Sequence, residues 1–267
     1  MVKLPLRAGL VFWLFLLSAI AFLDRTNVSI AGPQISLEYG LGNVRLGWII
    51  SAFLIGYASS QVLAGRIAVR LGPRSALTLG VLWWGAFTLS TALIPPRMRG
   101  ALWMLMAVRF ALGVGEAIIY PASNQFVARW IPVSERGTVN GVIFSGVGAG
   151  AGLTPPLLAA IIAAHGWRAA FWFSAAVGVI AGILWFVIAR DTPEEHPLIS
   201  SDEISKIRAG IGEVTKTNAA KAGIPGPRSS AAVRCLCSHS ATSVSDMSPG
   251  FFLAGSTCTW RRHAVST

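Results

Sequence analysis

The chain has 267 residues, of which 54% are hydrophobic and only 12% are charged. A soluble domain of this length needs roughly 25% charged residues to cover its surface, so the composition excludes an ordinary soluble protein and indicates a membrane protein surrounded by lipids. The net charge of +11 would suggest a nucleic-acid partner in a soluble protein. Here the arginines lie between apolar segments and in the carboxy-terminal region, so no nucleic-acid partner is predicted.

The apolar residues are grouped into segments long enough to cross a membrane, which takes about 20 residues per helix. Lys3 and Arg7 precede the first segment, as in a signal peptide, but no small-residue cleavage site follows, and we expect an uncleaved helix. The sequence therefore predicts an all-α polytopic membrane protein with six transmembrane helices. The six segments are Leu10–Gly32, Leu46–Val69, Ser75–Leu93, Ala101–Trp130, Gly137–Ala163 and Ala169–Ala189.

The arginines between these segments predict the orientation, because positively charged residues favour the cytoplasmic side. With the amino terminus inside, the cytoplasmic loops carry Arg66, Arg70, Arg74, Arg129, Arg136 and Arg190. The outer loops carry Arg45, Arg97, Arg99 and Arg168. This bias predicts a multi-pass protein of the plasma (inner) membrane with a cytoplasmic amino terminus.

Four ionisable residues interrupt the apolar spans, where charges are costly and usually mark a pathway or a binding site. Asp24 and Arg25 lie in the first span, and Arg109 and Glu116 lie in the fourth. Seven residues separate Arg109 from Glu116, which places both on one face of a helix but about 10 Å apart along its axis. Each therefore needs a partner on another helix or a wet cavity. The alternative for Asp24 and Arg25 is a position at the outer interface, with the side chains reaching the headgroups.

Further polar groups lie on the same spans. Tyr57 and Gln61 are one turn apart on the second span, Asn27 lies on the first, and Tyr120 and Asn124 lie on the fourth. Guanidinium groups bind carboxylates through two hydrogen bonds. A carboxyl group held away from water can take up and release protons near neutral pH. Together these groups suggest proton-coupled transport of an organic anion, although Tyr57 and Gln61 are equally well explained by hydrogen bonds between helices.

The fifth span carries four alternate glycines, Gly146, Gly148, Gly150 and Gly152, followed by Pro155 and Pro156. Small residues at this spacing allow helices to approach closely, so we expect packing and bending here. No Gly-Lys-Ser/Thr follows, which argues against a phosphate loop.

No enzyme, cofactor or metal site is predicted. An intramembrane hydrolase needs a nucleophile and a base at membrane depth, but the histidines, His165, His196, His239 and His263, all lie in predicted loops or in the tail. The three cysteines, Cys235, Cys237 and Cys258, are too few for a structural zinc site.

Two motifs resemble those of the major facilitator superfamily. The segment from Gly65 to Arg74 is similar to its loop between the second and third helices, and Arg109-x-x-x-Gly113 is similar to its fourth-helix arginine motif. Val69 stands where that loop usually has an aspartate, which weakens the expected charge relay with a neighbouring helix.

Longer stretches resemble the anion:cation symporter family within that superfamily, over about residues 8–210. Its first-helix signature resembles Asp24–Ala31, and its fourth helix resembles Gly115–Ala117 and Tyr120–Asn124. The region around its sixth helix resembles Gly166–Trp172 and Asp191–Pro197. The resemblance implies the amino-terminal, six-helix half of a major facilitator fold.

The same resemblance implies roles for individual residues. It associates Asp24 and Glu116 with proton coupling, and Arg25, Arg109 and Tyr57 with the anionic substrate; Gln61 and Asn124 complete the candidate substrate-binding set. The implied substrates are sugar acids such as hexuronates, or dicarboxylates and aromatic acids. The coupling ion is expected to be the proton, with sodium left open. The alternative is a membrane scaffold without transport activity, or a pseudogene product.

The chain is predicted to have three parts: a transmembrane domain at 1–190, a cytoplasmic linker at 191–225 and a tail at 226–267. The tail is rich in Ser, Thr, Cys, Arg and Pro, as in a disordered segment. In a reading frame shifted by one base, however, permitted codons for Leu236–Ser266 encode an apolar sequence that resembles the seventh helix of the family. We therefore expect a frameshifted tail and a truncated chain that does not transport, with an unrelated native tail as the alternative.

Overall fold

The computed structural model describes residues 6–221, with side chains described through residue 211. Short 3₁₀ turns lie at Val133–Glu135 and Pro193–Glu195. The α-helices of the described residues are α1 (Leu6–Tyr39), α2 (Asn43–Leu71), α3 (Pro73–Leu93), α4 (Ala101–Glu116), α5 (Ile119–Trp130), α6 (Arg136–His165), α7 (Trp167–Ile188) and α8 (Ser201–Lys221).

The six predicted spans are confirmed by six helical segments that are long and apolar enough to cross a membrane. They are α1, α2, α3, α4 together with α5, α6 with the turn before it, and α7. The chain is thus a multi-pass, all-α membrane protein.

The predicted loops between these spans are wrong in extent, because the helices continue past the apolar segments. Helix α6 has 30 residues, about 45 Å at 1.5 Å per residue, whereas the hydrocarbon layer is about 30 Å thick. The extra turns carry polar residues into the headgroup region. Seven arginines assigned to loops therefore lie in helices: Arg45, Arg66, Arg70, Arg74, Arg129, Arg136 and Arg168.

The fourth span is interrupted, where the sequence predicted one continuous helix. Helix α4 ends at Glu116 and α5 begins at Ile119. Pro121 lacks the N–H that would bond the Ala117 carbonyl, so the regular hydrogen-bond ladder fails at this point. Ile118 instead donates to the Gly115 carbonyl at 3.4 Å, in a tighter turn. Glu116 consequently lies at a break in the middle of the span.

The predicted close packing of the fifth span is confirmed for two of its four glycines. Helix α6 packs along α1, and a Cβ added at Gly150 would lie 2.9 Å from the Ala19 carbonyl oxygen. At Gly146 it would press on the carbonyl oxygen of Phe15. Gly148 and Gly152 face away from α1, and no described atom outside their own helix lies within 4 Å of a Cβ built there.

Polar contacts fasten the helix ends. At the end of α1, Glu38 accepts hydrogen bonds from Trp167 Nε1 at 2.7 Å and from Arg168 at 2.8 Å, and the Tyr39 hydroxyl donates to the Ile94 carbonyl at 2.6 Å. The end of α1 therefore meets the end of α3 and the start of α7. At the start of α1, Arg7 forms an ion pair with Glu135 at 2.9 Å.

The segment that resembles the superfamily loop contacts an aspartate from another part of the chain. Val69 is exposed, whereas Asp191, beyond the end of α7, accepts the Arg74 backbone N–H at 3.0 Å. A carboxylate is favourable at the first turn of a helix because the helix dipole is positive there. Arg74 also lies over the Phe186 ring, 4.1 Å from its centroid, which joins α3 to α7.

The chain divides into two units, Met1–Gly223 and Ile224–Thr267. The first includes α8, which lies within the predicted linker and packs on the turn before α6, with Ile207 buried and Gly210 against Pro132. The second unit lies outside the described residues, as do the predicted tail and its frameshift. The three-part division stays a prediction.

Candidate functional site

An ion pair joins the first and fourth spans at mid-depth. The guanidinium of Arg25 lies 2.5 Å from Glu116 Oε1. Glu116 is fully buried, and the Arg25 side chain is 31% exposed. Arg25 is 19 residues from the start of α1 and 14 from its end, about 28 Å and 21 Å along the axis. This position disagrees with the alternative in which Asp24 and Arg25 lie at the outer interface.

Arg109 lies beside this pair without joining it. Its side chain is buried, with 1% of the residue exposed, and its Nη2 atom donates a long hydrogen bond of 3.5 Å to the Arg25 carbonyl. Among the described residues, neither Nε nor Nη1 of Arg109 has a hydrogen-bond partner, nor has Glu116 Oε2. The prediction that Glu116 needs a partner from another helix is confirmed, and that partner is Arg25. Arg109 keeps unpaired donors.

Two aromatic rings of α2 line the arginines. The Arg25 guanidinium lies 4.8 Å from the centroid of the Tyr57 ring and 5.4 Å from that of Phe53, and Arg109 lies 5.5 Å from the Phe53 ring. These distances allow cation–π attraction. The sequence analysis missed Phe53, although its position one helical turn before Tyr57 places it on the same face.

Glycine allows α2 to come this close to α4. A Cβ at Gly113 would lie 2.8 Å from the Tyr57 backbone nitrogen and would press on the Phe53 carbonyl. Helix α2 therefore crosses α4 directly at the residues whose rings line the arginines, which explains why Arg109 and Gly113 occur one turn apart.

The remaining candidates are spread around the pair. Tyr120 contacts the first span through its hydroxyl, 3.3 Å from Ser18 Oγ, and its ring stacks on Phe144. Gln61 is half-buried and Asn124 is exposed. Within residues 6–211 no hydrogen bond joins Gln61 or Asn124 to the arginines or to Glu116. Their predicted role in substrate binding stays a prediction.

Asp24 lies on a different face of α1, as expected for the neighbour of Arg25 on a helix that turns 100° per residue. It is fully buried, and its Oδ1 accepts the Thr88 hydroxyl of α3 at 3.1 Å. One turn along, Asn27 donates to Ser174 of α7 at 2.8 Å. Thr88 and Ser174 were not found from sequence, because single hydroxyl residues in apolar helices carry no periodic signal.

The site contains two carboxyl groups and two guanidinium groups. Arg109 interacts electrostatically with both Glu116 and Asp24. Glu116 occupies Arg25, whereas Nε and Nη1 of Arg109 have no partner among the described residues. An added carboxylate could therefore bind Arg109 directly or replace Glu116 on Arg25. A separate cavity of about 210 Å³ between α2, α3 and α4 is lined by Leu63, Gly80 and Trp83, with no charged residue. That cavity does not suit an anion.

Comparison with known proteins identifies the family. The chain matches the Major Facilitator Superfamily over residues 14–257, a range that extends beyond the described residues. It is 36% identical over 206 residues to a probable sulfoacetate transporter of Cupriavidus necator, covering 77% of this chain and 46% of that protein. It is 30% identical over 214 residues to a probable galactarate/D-glucarate transporter of Bacillus subtilis, covering 80% and 47%.

A chloroplastic ascorbate transporter of Arabidopsis thaliana is 33% identical over 208 residues, covering 78% of this chain and 38% of that protein. The chain thus spans about half or less of the length of these curated relatives. The fold is also that of a bacterial homologue of the human lysosomal transporter Spinster, crystallised in an inward-facing, occupied conformation, with a TM-score of 0.63 and 21% identity, covering 73% of this chain and 46% of that one. The chain belongs to the Major Facilitator Superfamily.

Proposed function

We propose that this chain forms the amino-terminal half of a transporter of the anion:cation symporter type, which carries an organic anion together with protons across the plasma membrane. The observation that carries the proposal is the buried Arg25–Glu116 ion pair beside Arg109, a guanidinium with unpaired donors. The three relatives support the substrate class, because sulfoacetate, galactarate or glucarate, and ascorbate are all organic anions. Sugar acids are the proposed substrates.

The arginines provide the binding chemistry for a carboxylate. A guanidinium presents its N–H groups in a planar fork that matches the two oxygens of a carboxylate. Arg109 offers Nε and Nη1, and Arg25 offers the N–H group that it donates to Glu116 in this structure. The rings of Tyr57 and Phe53 hold the Arg25 guanidinium in place as its partner changes.

The ion pair couples the anion to a proton. If the anion binds Arg25 while Glu116 is ionised, the Glu116 carboxylate is left buried without a partner. If a proton binds Glu116 without the anion, Arg25 is left unpaired. Separating a buried pair in this way costs about 3–5 kcal/mol. When a proton and an anion bind together, both costs are avoided, so each favours the binding of the other. Asp24, on the face of α1 that contacts α3, is proposed as a second proton site.

The test uses a complete two-half transporter built on this chain, reconstituted into liposomes with labelled galactarate. The unmodified protein should accumulate the label when the outside is acidic. Glu116→Gln should abolish this accumulation while keeping exchange of internal for external galactarate, because glutamine keeps hydrogen bonding but cannot titrate. Glu135→Gln is the matched control, since Glu135 pairs with Arg7 away from the site, and it should accumulate normally.

Three other outcomes would contradict parts of the proposal. Accumulation by Glu116→Gln in response to the pH gradient would exclude Glu116 as the coupling acid. Accumulation that follows a sodium gradient and ignores pH would replace the proton with sodium. No uptake by the unmodified protein would favour the membrane scaffold. We also propose that the 267 residues alone do not transport, because they span about half or less of the length of the transporters that they match. Liposomes that contain only these residues should take up no more label than empty vesicles.

A further inference from the structure

A buried donor and a buried acceptor face each other between α1, α3 and α7, away from the Arg25–Glu116 pair. Trp84 on α3 is fully buried, and its indole N–H has no acceptor among the described residues. The Oδ2 atom of Asp24 is likewise buried without a donor. Unpaired buried polar atoms are uncommon, and each calls for an explanation. An unpaired donor and an unpaired acceptor between the same three helices indicate that they can bond each other.

Gly178 of α7 provides the space between them. A Cβ built on Gly178 would lie 3.2 Å from Trp84 Nε1 and 3.8 Å from Asp24 Oδ2. Any side chain larger than hydrogen would therefore crowd both the indole N–H and the carboxyl group. Gly178 thus keeps open the path by which Trp84 and Asp24 can approach.

The neighbours of Asp24 leave few other ways to satisfy its free oxygen. Helix α3 contributes the neutral Thr88, which already donates to Oδ1, and α7 contributes the neutral Ser174, whose hydroxyl donates to the Ala170 carbonyl. The charges that act on Asp24 come from α4, namely Glu116 and Arg109, and neither forms a hydrogen bond with it in the described structure. The indole N–H of Trp84 is the available donor.

We propose that Trp84 is a positioning residue for Asp24: its N–H closes on Oδ2 when Asp24 is ionised, through the gap that Gly178 keeps open. The indole nitrogen can only donate, so it stabilises the ionised carboxylate more than the protonated acid, whose oxygens are weaker acceptors. Trp84 therefore sets the pH at which Asp24 releases its proton. Any effect of Trp84 on transport rests on the proposed coupling role of Asp24. Its effect on the protonation of Asp24 does not depend on that role.

The experiment follows the infrared carboxyl band of the purified chain in lipid nanodiscs as a function of pH. The Asp24 band is the one that Asp24→Asn removes. In Trp84→Phe, the band should persist to a pH about one unit higher than in the unmodified chain, the size expected from losing a hydrogen bond to a charged group. Trp185→Phe is the matched control, because Trp185 is also fully buried with an unpartnered N–H among the described residues, but it packs on Phe126. It should leave the band unmoved.

Gly178→Ala tests the same contact with both tryptophans intact, and it adds a single methyl group. It should shift the band in the same direction, and the double variant with Trp84→Phe should shift it no further. An unchanged titration in Trp84→Phe and Gly178→Ala, or an equal shift in Trp185→Phe, would overturn the proposal. A shifted band in a protein that does not transport would contradict the proposed function and leave this inference standing.

Discussion

At the scale of single residues, Asp24 and Arg25 show how neighbours on one helix can serve different environments. Arg25 faces α2 and the fourth span, where it meets Glu116 and two aromatic rings. Asp24 faces α3 and α7 and is sealed from solvent. The two acids of the site are thus held differently, since Glu116 has a guanidinium partner and Asp24 has hydroxyl and indole neighbours.

The Tyr57 ring is expected to hold Arg25 ready for an anion. Tyr57→Leu removes the cation–π contact, and the galactarate concentration for half-maximal uptake should rise about 2- to 30-fold, as a contact of about 0.5–2 kcal/mol implies. Tyr57→Phe keeps the ring and should change that concentration less than twofold. If both variants lose affinity equally, the hydroxyl is the essential group.

Much of the site could be predicted from sequence, because a charge within an apolar run is conspicuous. Asp24, Arg25, Arg109 and Glu116 were found in this way. The pairing of Glu116 with Arg25 could not be, because it depends on how two helices are rotated against each other. Gln61 and Asn124 were chosen as polar residues on the same spans, and no hydrogen bond within residues 6–211 joins them to the arginines.

At the scale of helices, the site depends on close contacts that glycine allows and on one break that proline causes. Apolar length alone predicted the six spans. The break after Glu116 was missed, although Pro121 lies four residues beyond Ala117, because prolines are common in membrane helices and many leave them continuous. The helix ends were also misplaced, since arginines continue a helix as readily as they end an apolar run.

The contact between α1 and α6 can be tested with two neighbouring glycines. Gly146→Leu would drive a side chain into the Phe15 carbonyl and should lower the free energy of unfolding by about 1–3 kcal/mol or more, as overpacking does. Gly148→Leu has open space in the described structure and should change stability little. Thermal unfolding in detergent micelles measures both. Equal losses would show that the helix, rather than the contact, is sensitive to the substitution.

At the scale of the whole molecule, the six spans alternate in direction, and different polar contacts stabilise their two sets of ends. Glu38 joins the end of α1 to the start of α7, and Tyr39 joins it to Ile94, which follows α3. The Asp191 contact lies at the start of α3, beyond the end of α7. The sequence predicted this alternation from the number of spans, and the arginine distribution predicts which side is cytoplasmic.

The topology has a direct test. Reporter enzymes fused after Arg74, at the start of α3, and after Pro96, beyond its end, should report opposite sides of the membrane, with the first in the cytoplasm. A fusion after Ala189 should report the cytoplasm as well. Finding the first two on one side would remove the six-span arrangement, and finding all three reversed would invert the proposed orientation.

The central claim is that an anion takes the place of Glu116 on Arg25 and that Glu116 then takes a proton. The most direct measurement is the number of protons taken up when galactarate binds to the complete two-half transporter in weakly buffered solution near neutral pH. We expect uptake of about one proton per bound anion, lost in Glu116→Gln, because the displaced carboxylate is buried and must be neutralised. Binding of galactarate with no proton uptake, or with the same uptake in Glu116→Gln, would contradict the claim.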